Sequence, residues 1–157
     1  MKSERALDTS DWERAKRVLC IRLDTLGDIL MTTPAIRAVK RSRAPQPSSE
    51  THWEPGRHVT LLTGSAGAAI GALVPEVDDV IVYDAPWMKA TPPRADSRPE
   101  YEMADHLRAG NFDAAIIFTV YSQNPLPAAM LTYLSGIPLR LAHCHENPYQ
   151  LLTDWVP

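Results

Sequence analysis

The sequence predicts an α/β fold in which a parallel β-sheet is covered by helices on both faces. Short apolar runs and helical patterns alternate about five times along the 157 residues, which is typical of parallel strands joined by right-handed helical crossovers. The apolar runs are nearly continuous, as expected for strands that are buried on both faces. Ligands of such sheets bind outside the carboxyl ends of the strands.

The composition is that of one ordinary globular domain. Hydrophobic residues make up 45% and charged residues 22% of the chain, which excludes disordered, collagen-like and coiled-coil proteins. The formal net charge is −3, so a polycationic nucleic-acid-binding protein is also excluded and no nucleic-acid partner is expected. Basic side chains concentrate in residues 1–57, where an anion site would be favoured.

Cysteine usage and hydropathy indicate where the protein resides. Cys20 and Cys144 are too few for a disulfide scaffold in a chain of this size, which favours a reducing compartment such as the cytoplasm. Residues 1–17 contain no apolar core of a signal peptide. The charge-free stretch 114–139 is interrupted twice by turn residues, so it predicts strand, loop, helix and strand, not a membrane span.

The first half of the chain contains an extension and the start of the sheet. A polar N-terminal extension, residues 1–16, is expected ahead of the main domain at 17–157, with a short charged helix at 11–16. The helical pattern at 28–41 contains Pro34, so either the helix kinks there or Thr33 caps a second start. The other elements expected in this half are a strand at 18–23, a loop at 42–57, a strand at 58–63, a helix of small residues at 65–74 and a strand at 79–83.

A long polar loop, 84–96, separates the two halves and leads into a helix. Ser97 and Glu100 predict a capping box for this helix, which should end at Ala109. Gly110 then predicts a left-handed stop.

The last part of the chain predicts strand, helix and strand. The strand at 114–120 is the most apolar, and the next helix begins at Pro125 and Pro127 and ends at Gly136. Leu126, Met130 and Leu134 form one apolar stripe along that helix. A short strand follows at 137–142, with Pro138 in a position allowed at a sheet edge.

The turn after the first strand contains the strongest candidate for chemistry. Asp28 is expected at the N-terminus of the first main helix, where the helix dipole stabilises its anion but lets it accept a proton from a bound hydroxyl. Asp28 is also a good helix N-cap, and the two roles are compatible. Gly27 would let the backbone turn tightly before it. The glycines of a dinucleotide-binding fingerprint are absent from this turn.

The same segment carries a family resemblance. Residues 18–40 contain a strand, an arginine, the Gly27-Asp28 pair, a Thr-Pro pair and a basic helix end, in an order that resembles glycosyltransferase family 9. These are the ADP-heptose:lipopolysaccharide heptosyltransferases and their relatives. Shorter matches support the resemblance, which extends over about residues 17–157; they lie at 59–63, 75–83, 134–138 and 151–155.

The resemblance implies a fold and a reaction. The fold would be the Rossmann-like N-terminal half of a GT-B fold, which is the acceptor-side domain. The reaction would be inverting transfer of heptose or a related sugar from an ADP-activated donor to a lipopolysaccharide core or similar glycan. Asp28 would be the general base, Gly27 would let the acceptor approach, and Thr25 and Arg22 of the same motif would contribute to acceptor binding.

The family holds its donor in a C-terminal domain, which this sequence does not include. The chain alone is therefore expected to be inactive and to hold no tightly bound cofactor, and the ADP-sugar donor is expected only with the missing domain. The expected partners are a glycan acceptor, that domain and, peripherally, the membrane surface. The expected location is the cytoplasm, with peripheral contact at the inner membrane as a further expectation.

Several other residues are weaker candidates for binding. One group of residues, in and just after the long loop, could hold an anionic acceptor sugar. A second group, after the fourth strand, could donate hydrogen bonds to that sugar. The first group is Trp87, Lys89, Arg94 and Arg98, and the second is Ser122 and Gln123. The cations Arg37, Lys40, Arg41 and Arg43 end a helix and indicate either a solvated face or contact with anionic lipid.

Three further patterns favour structural roles. Gly64, Gly67 and Gly71 match no phosphate-binding loop and indicate close helix–sheet packing. His143 and His145 lack further ligands at suitable spacing, so no metal site is expected. Cys20 is expected to be inert in the core.

A second hypothesis for the function is a stand-alone flavodoxin-like binding or regulatory module without catalysis. The short length of the chain favours it, and a fold does not dictate a function. A phospho-acceptor regulator would have an acidic cluster after the first strand and a lysine after the last one. Asp24 and Asp28 provide part of the acidic cluster, but Arg140 lies near the fifth strand and no lysine does.

Overall fold

The structure is a computed structural model that describes residues 9–42 and 56–157. The strands are β1 Arg17–Ile21, β2 His58–Thr63, β3 Asp79–Val82, β4 Ala114–Ile117, β5 Leu139–His143 and β6 Asp154–Val156. The helices are α1 Thr9–Arg14, α2 Leu26–Arg41, α3 Ala68–Gly71, α4 Arg98–Ala109 and α5 Leu126–Leu134. Most of the predicted loop at 42–57, and with it Arg43, lies outside the described residues.

The six strands form one parallel sheet in the order β3-β2-β1-β4-β5-β6. This confirms the predicted parallel α/β fold. The order is that of doubly wound, Rossmann-like sheets, and the direction of winding reverses between β1 and β4. The flavodoxin-like order is different, so the fold assumed in the second hypothesis is wrong.

Alternate residues of β1 face two separate cores, so helices cover both faces of the sheet as predicted. Val18 and Cys20 pack with Ile29 of α2 on one face. Leu19 and Ile21 pack on the other face with residues of α4 and α5, including Leu107 and Ala129. Burial raises the pKa of the Cys20 thiol to about 12, in agreement with its prediction as inert core.

α1 packs against the sheet. Trp12 lies against the Val18 and Cys20 core, and its indole Nε1 donates a hydrogen bond to Asp154 Oδ2 at 2.8 Å. Ala15 is buried in the same core. The described part of the segment 1–16, predicted as a polar extension, therefore contacts both the core and strand β6.

α2 is one uninterrupted helix from Leu26 to Arg41, and Pro34 lies inside it. Proline has no N–H to donate to the carbonyl of residue 30, four positions earlier. The Thr33 hydroxyl donates to that Leu30 carbonyl at 2.7 Å instead. A second helix start capped by Thr33 is therefore absent, and the predicted start of this helix at residue 28 was two residues late.

The predicted boundaries of α4 are nearly correct, but its caps are not. The Ser97 side chain makes no capping hydrogen bond, and the Glu100 carboxylate accepts from Arg94, so the predicted capping box is absent. Gly110 has a φ of −68°, whereas Asn111 has a φ of 49°. The left-handed stop therefore lies one residue later than predicted.

Of the predicted apolar stripe of α5, only Leu126 packs against the core. Met130 and Leu134 are 44% and 48% exposed, because α5 turns a face of smaller side chains to the sheet. That buried face consists of Ala128, Ala129, Leu131 and Thr132. Gly136 ends the helix with a φ of +74°, as predicted.

The glycines around α3 allow close packing, as predicted. A Cβ on Gly67 would lie 2.1 Å from Ile29 Cδ1 and 2.4 Å from Thr63 Oγ1, and one on Gly71 would lie 2.8 Å from Leu61 Cδ2. α3 is only four residues long, much shorter than the helix predicted at 65–74. Within residues 9–42 and 56–157, no helix has the length and apolar character needed to cross a bilayer.

Candidate functional site

The candidate site lies at the carboxyl edge of the sheet. β1 and β4 end at Ile21 and Ile117, earlier than predicted, so residues 22–25 and 118–123 are free to form loops there. A cavity of about 690 Å³ opens between these loops and the segment after β3. We call it the Asp28 cavity. Its polar lining residues include Asp24, Thr25, Asp28, Asp84, Lys89 and Gln123.

Asp28 is the third residue of α2, not its N-cap. Thr25 takes the N-cap position, and its amide and hydroxyl donate hydrogen bonds of 3.1 and 2.7 Å to Asp28 Oδ2, as in a capping box. Arg22 Nη2 donates to Oδ1 at 3.1 Å. Each carboxylate oxygen has two acceptor positions, so Oδ1 keeps one for a further donor. The side chain is 28% exposed and lines the cavity.

The surroundings of Asp28 keep it ionised. The Thr25 hydroxyl contributes most to lowering the pKa of the carboxyl below its usual value, and the Thr25 amide and the Arg22 guanidinium add to this effect. Partial burial opposes them, but less strongly. At neutral pH Asp28 is therefore an anion that can accept a hydrogen bond from a ligand hydroxyl.

Arg22 lies beneath this carboxylate in a buried charge network. Its side chain is 8% exposed, and its Nε lies 2.9 Å from Asp24 Oδ2, whose side chain is 6% exposed. Gln123 Nε2 donates a hydrogen bond to the other oxygen of Asp24. The network joins the loops after β1 and β4, and in it Arg22 positions Asp28 instead of facing the cavity.

Gly27 has a different structural basis from the one predicted. It lies in the first turn of α2, and its φ is not positive, so the backbone does not require glycine there. A Cβ at this position would have one neighbour within 4 Å, Thr25 Oγ1 at 3.8 Å. The tight turn predicted at Gly27 is therefore absent, and a Cβ would fit at this position without a close contact.

The loop after β3 forms the outer wall of the site. Lys89 lines the Asp28 cavity, and Trp87 lines a neighbouring cavity together with Lys89. Two turns fix the loop, because the Met88 amide donates to the Ala85 carbonyl and the Thr91 amide donates to the Met88 carbonyl, both at 3.0 Å.

Arg94 holds the two ends of this loop together. Its guanidinium pairs with Glu100, donates to the Asp84 carbonyl and lies 5.7 Å from the centre of the Tyr83 ring. Arg98 pairs with Asp96 at 3.3 Å. Both arginines, which the sequence suggested as ligands of an acceptor, therefore have partners within the protein, although the Arg98 side chain is 76% exposed.

The last two predicted site residues follow β4. Gln123 lines the Asp28 cavity, whereas Ser122 lines a separate cavity of about 160 Å³ beside His145 and Glu146. The structure therefore brings Gln123 to Asp28 and leaves Ser122 outside this group.

Tyr83 and Asp84 also line the Asp28 cavity but were not predicted to do so. Asp84 Oδ1 accepts a hydrogen bond from the Ser65 amide at 2.8 Å. Burial is the main cause that raises the pKa of Tyr83 to about 12, so its hydroxyl stays protonated. Their position directly after β3 is a signal that sequence reasoning could have used.

The basic end of α2 has partners within the protein. Arg37 Nε lies 2.5 Å from Glu76 Oε1, and Lys40 Nζ lies 2.5 Å from Asp78 Oδ2. These ion pairs do not support contact of Arg37 and Lys40 with anionic lipid. Among the described residues, no group of three or more histidines, cysteines or acidic residues is arranged to bind a metal.

Comparison with solved structures supports the predicted resemblance at the level of the fold. Glycosyltransferase family 9 structures share this fold. The family 9 protein of Veillonella parvula matches with a TM-score of 0.64 and 19% identity over 90% of this chain and 36% of that chain. E. coli ADP-heptose lipopolysaccharide heptosyltransferase II matches with a TM-score of 0.64 and 20% identity, over 90% of this chain and 34% of that chain. E. coli heptosyltransferase WaaC with ADP matches with a TM-score of 0.59 and 20% identity, over 89% of this chain and 40% of that chain.

The shared region is limited in length and identity. The chain spans about a third of the length of the first two of these family 9 structures. No family model and no curated protein sequence matches it. The likeness to glycosyltransferases therefore concerns the α/β fold and a fragment of their length.

Proposed function

We propose that this chain is the acceptor-binding, base-carrying half of an inverting glycosyltransferase. The observation that carries the proposal is the ionised Asp28 carboxylate, which lines a cavity of about 690 Å³ at the carboxyl edge of the sheet. This is where doubly wound sheets bind their ligands, and the volume suits a sugar-sized group. The family 9 fold likeness gives independent support.

Asp28 acts as the general base in the proposed reaction. An acceptor hydroxyl donates a hydrogen bond to the acceptor position left open on Oδ1 and attacks the anomeric carbon of the donor sugar. A glycosidic C–O bond forms, the bond from the anomeric carbon to the phosphate oxygen breaks, and the hydroxyl proton passes to Asp28. The nucleoside diphosphate leaves with the electron pair, so the anomeric configuration inverts.

The protein contacts of Asp28 suit this role. Arg22 and Thr25 fix the direction of the carboxylate, so that the hydroxyl meets a positioned acceptor. A base with a lowered pKa is weak, so it receives the proton late, as the diphosphate departs. Positioned general-base catalysis of this kind contributes about 10²- to 10⁴-fold to a rate.

The donor half of the enzyme is a further part of the proposal. A C-terminal domain would hold the ADP-activated heptose or related sugar, and the acceptor would be a lipopolysaccharide core or similar glycan. The chain spans about a third of the family 9 structures it resembles. We therefore expect it to have no transferase activity until that domain completes it.

The test uses the chain joined to its donor domain, which the coding sequence beyond codon 157 should specify. Asp28→Asn should reduce transfer about 10²-fold or more while the affinity for the ADP-sugar is unchanged, because the amide cannot take the proton. Radiolabelled sugar transfer and calorimetry measure the two quantities.

Asp105→Asn is the matched control, because Asp105 is an exposed carboxylate of α4 and should leave the rate unchanged. Near-normal turnover of Asp28→Asn would remove the base assignment. A coding sequence that ends at codon 157, with no partner domain restoring transfer, would overturn the proposed function.

A further inference from the structure

A second, mainly apolar cavity adjoins the Asp28 cavity. It has a volume of about 360 Å³ and lies between the ends of β1 and β4, the start of α5 and the loop after β3. We call it the Trp87 cavity. Its apolar lining includes Ile21, Leu23, Trp87, Met88, Ile117 and Phe118, and its polar lining consists of Lys89, Thr119, Gln123 and Asn124.

The two cavities share walls. Leu23, Met88, Lys89 and Gln123 line both of them. The Trp87 cavity is therefore the immediate neighbour of the space beside Asp28, and both cavities lie at the carboxyl edge of the sheet.

The Trp87 cavity is preformed. The Trp87 ring packs edge-on against Tyr83 with ring centres 5.9 Å apart, and Tyr83 is itself buried. The turns at Ala85–Met88 and Met88–Thr91, together with Arg94, hold the loop that carries Trp87. Little ordering is then needed when a ligand enters, which favours affinity.

We propose that the Trp87 cavity binds an apolar, ring-sized group attached to the sugar whose hydroxyl reaches Asp28. This rests on the proposed function and narrows its acceptor class to amphiphilic glycosides. A sugar is covered with hydroxyl groups, and those buried against the apolar part of the lining, Ile21, Ile117 and Phe118, would lack hydrogen-bond partners. An aryl or alkyl group has no hydrogen bonds to lose there, and it can pack against the Trp87 side chain.

The test compares two glycosides that differ only in their apolar group. Para-nitrophenyl α-mannoside and methyl α-mannoside are titrated into this chain, and the indole N–H signals of its tryptophans are followed by NMR. The aryl glycoside should bind about tenfold more tightly, because the ring is removed from water, and it should shift the Trp87 signal. Methyl mannoside should leave that signal in place.

Variants separate this binding from unspecific adsorption. Trp87→Ala should abolish the advantage of the aryl glycoside. Tyr101→Ala, which removes an aromatic ring that is 68% exposed on α4, should preserve it. Circular dichroism verifies that both variants are folded, and Trp87→Leu provides a second version that keeps the site apolar and should retain part of the advantage.

Equal affinity of the two glycosides, or an advantage that persists in Trp87→Ala, would overturn this inference. The result does not depend on catalysis, since no sugar is transferred. Failure of the proposed function would appear separately, as normal turnover of Asp28→Asn in the completed enzyme.

Discussion

At the scale of the residue, Asp28 has a structural role in α2 and, in the proposed function, a chemical one. Its Oδ2 accepts both the amide and the hydroxyl of Thr25, which stabilises the first turn of α2. Its Oδ1 accepts one hydrogen bond from Arg22, and the side chain lines the cavity. Because the carboxylate also lines the cavity, its part in the first turn of α2 is compatible with the proposed role as a base.

The pKa of Asp28 is the prediction that belongs to this scale. Thr25→Val removes the hydroxyl that contributes most to lowering that pKa, so the pKa should rise towards the ordinary aspartate value of about 3.9. Thr25→Ser keeps a hydroxyl and should leave it nearly unchanged. A ¹³C NMR titration of the Asp28 carboxyl carbon measures it in each variant.

The sign of the effect on stability follows from the lowered pKa. Asp28 stabilises the fold fully above its unfolded-state pKa, and this contribution is lost as the pH falls through the lower folded-state pKa. The loss should be smaller in Thr25→Val. An unchanged Asp28 pKa in Thr25→Val would show that the hydroxyl does not control the carboxylate.

At the scale of the secondary-structure element, the main feature is the close packing of α3 against α2 and β2. Gly67 brings the start of α3 against Ile29 of α2 and Thr63 of β2, and the Thr63 hydroxyl is buried without a hydrogen-bond partner. Gly27, near the start of α2, has open space instead. Glycine is therefore required by close packing at Gly67 but not at Gly27, a difference that depends on the tertiary neighbours of each residue.

Alanine substitutions should separate these two glycines. Gly67→Ala should destabilise the protein by about 1–3 kcal/mol, because the new methyl group overlaps Ile29 and Thr63. Gly27→Ala should change the stability by no more than about 1 kcal/mol and in the stabilising direction, because alanine is the better helix residue. Urea unfolding midpoints measure both, and equal effects would contradict the packing argument.

At the scale of the whole molecule, the doubly wound sheet determines where the two cavities lie. The reversal of strand order between β1 and β4 separates the two loops, and the charge network from Gln123 through Asp24 to Arg22 spans the gap. Both cavities open at this edge. In the proposed enzyme the donor domain would face the same edge.

Donor binding tests the proposal that this chain binds the acceptor while another domain binds the donor. Titration of ADP-glucose into this chain by calorimetry should give no saturable heat up to about millimolar concentration, because the proposed donor site belongs to the other domain. A dissociation constant below about 100 µM would show that the chain holds a nucleotide site of its own. Mannose, titrated in parallel, controls for heats of dilution of a sugar.

Much of the fold could be predicted from local patterns. Continuous apolar runs identified five of the six strands, because a strand buried on both faces leaves a signal within a few residues. β6 is three residues long, too short for such a signal. The capping box of α4 was mispredicted because the Glu100 carboxylate pairs with Arg94, which the local capping pattern does not include.

The sequence by itself determined the parallel α/β architecture, the place of Asp28 at the start of a helix and the resemblance to family 9, because each depends on residues close together in the chain. The tertiary structure decided which loops meet. Gln123 reaches Asp24 across 99 positions, and Trp87 and Lys89 reach the ends of β1 and β4. Such contacts depend on sheet order and on loop conformation, which are set by packing between distant segments and leave no periodic trace in the sequence.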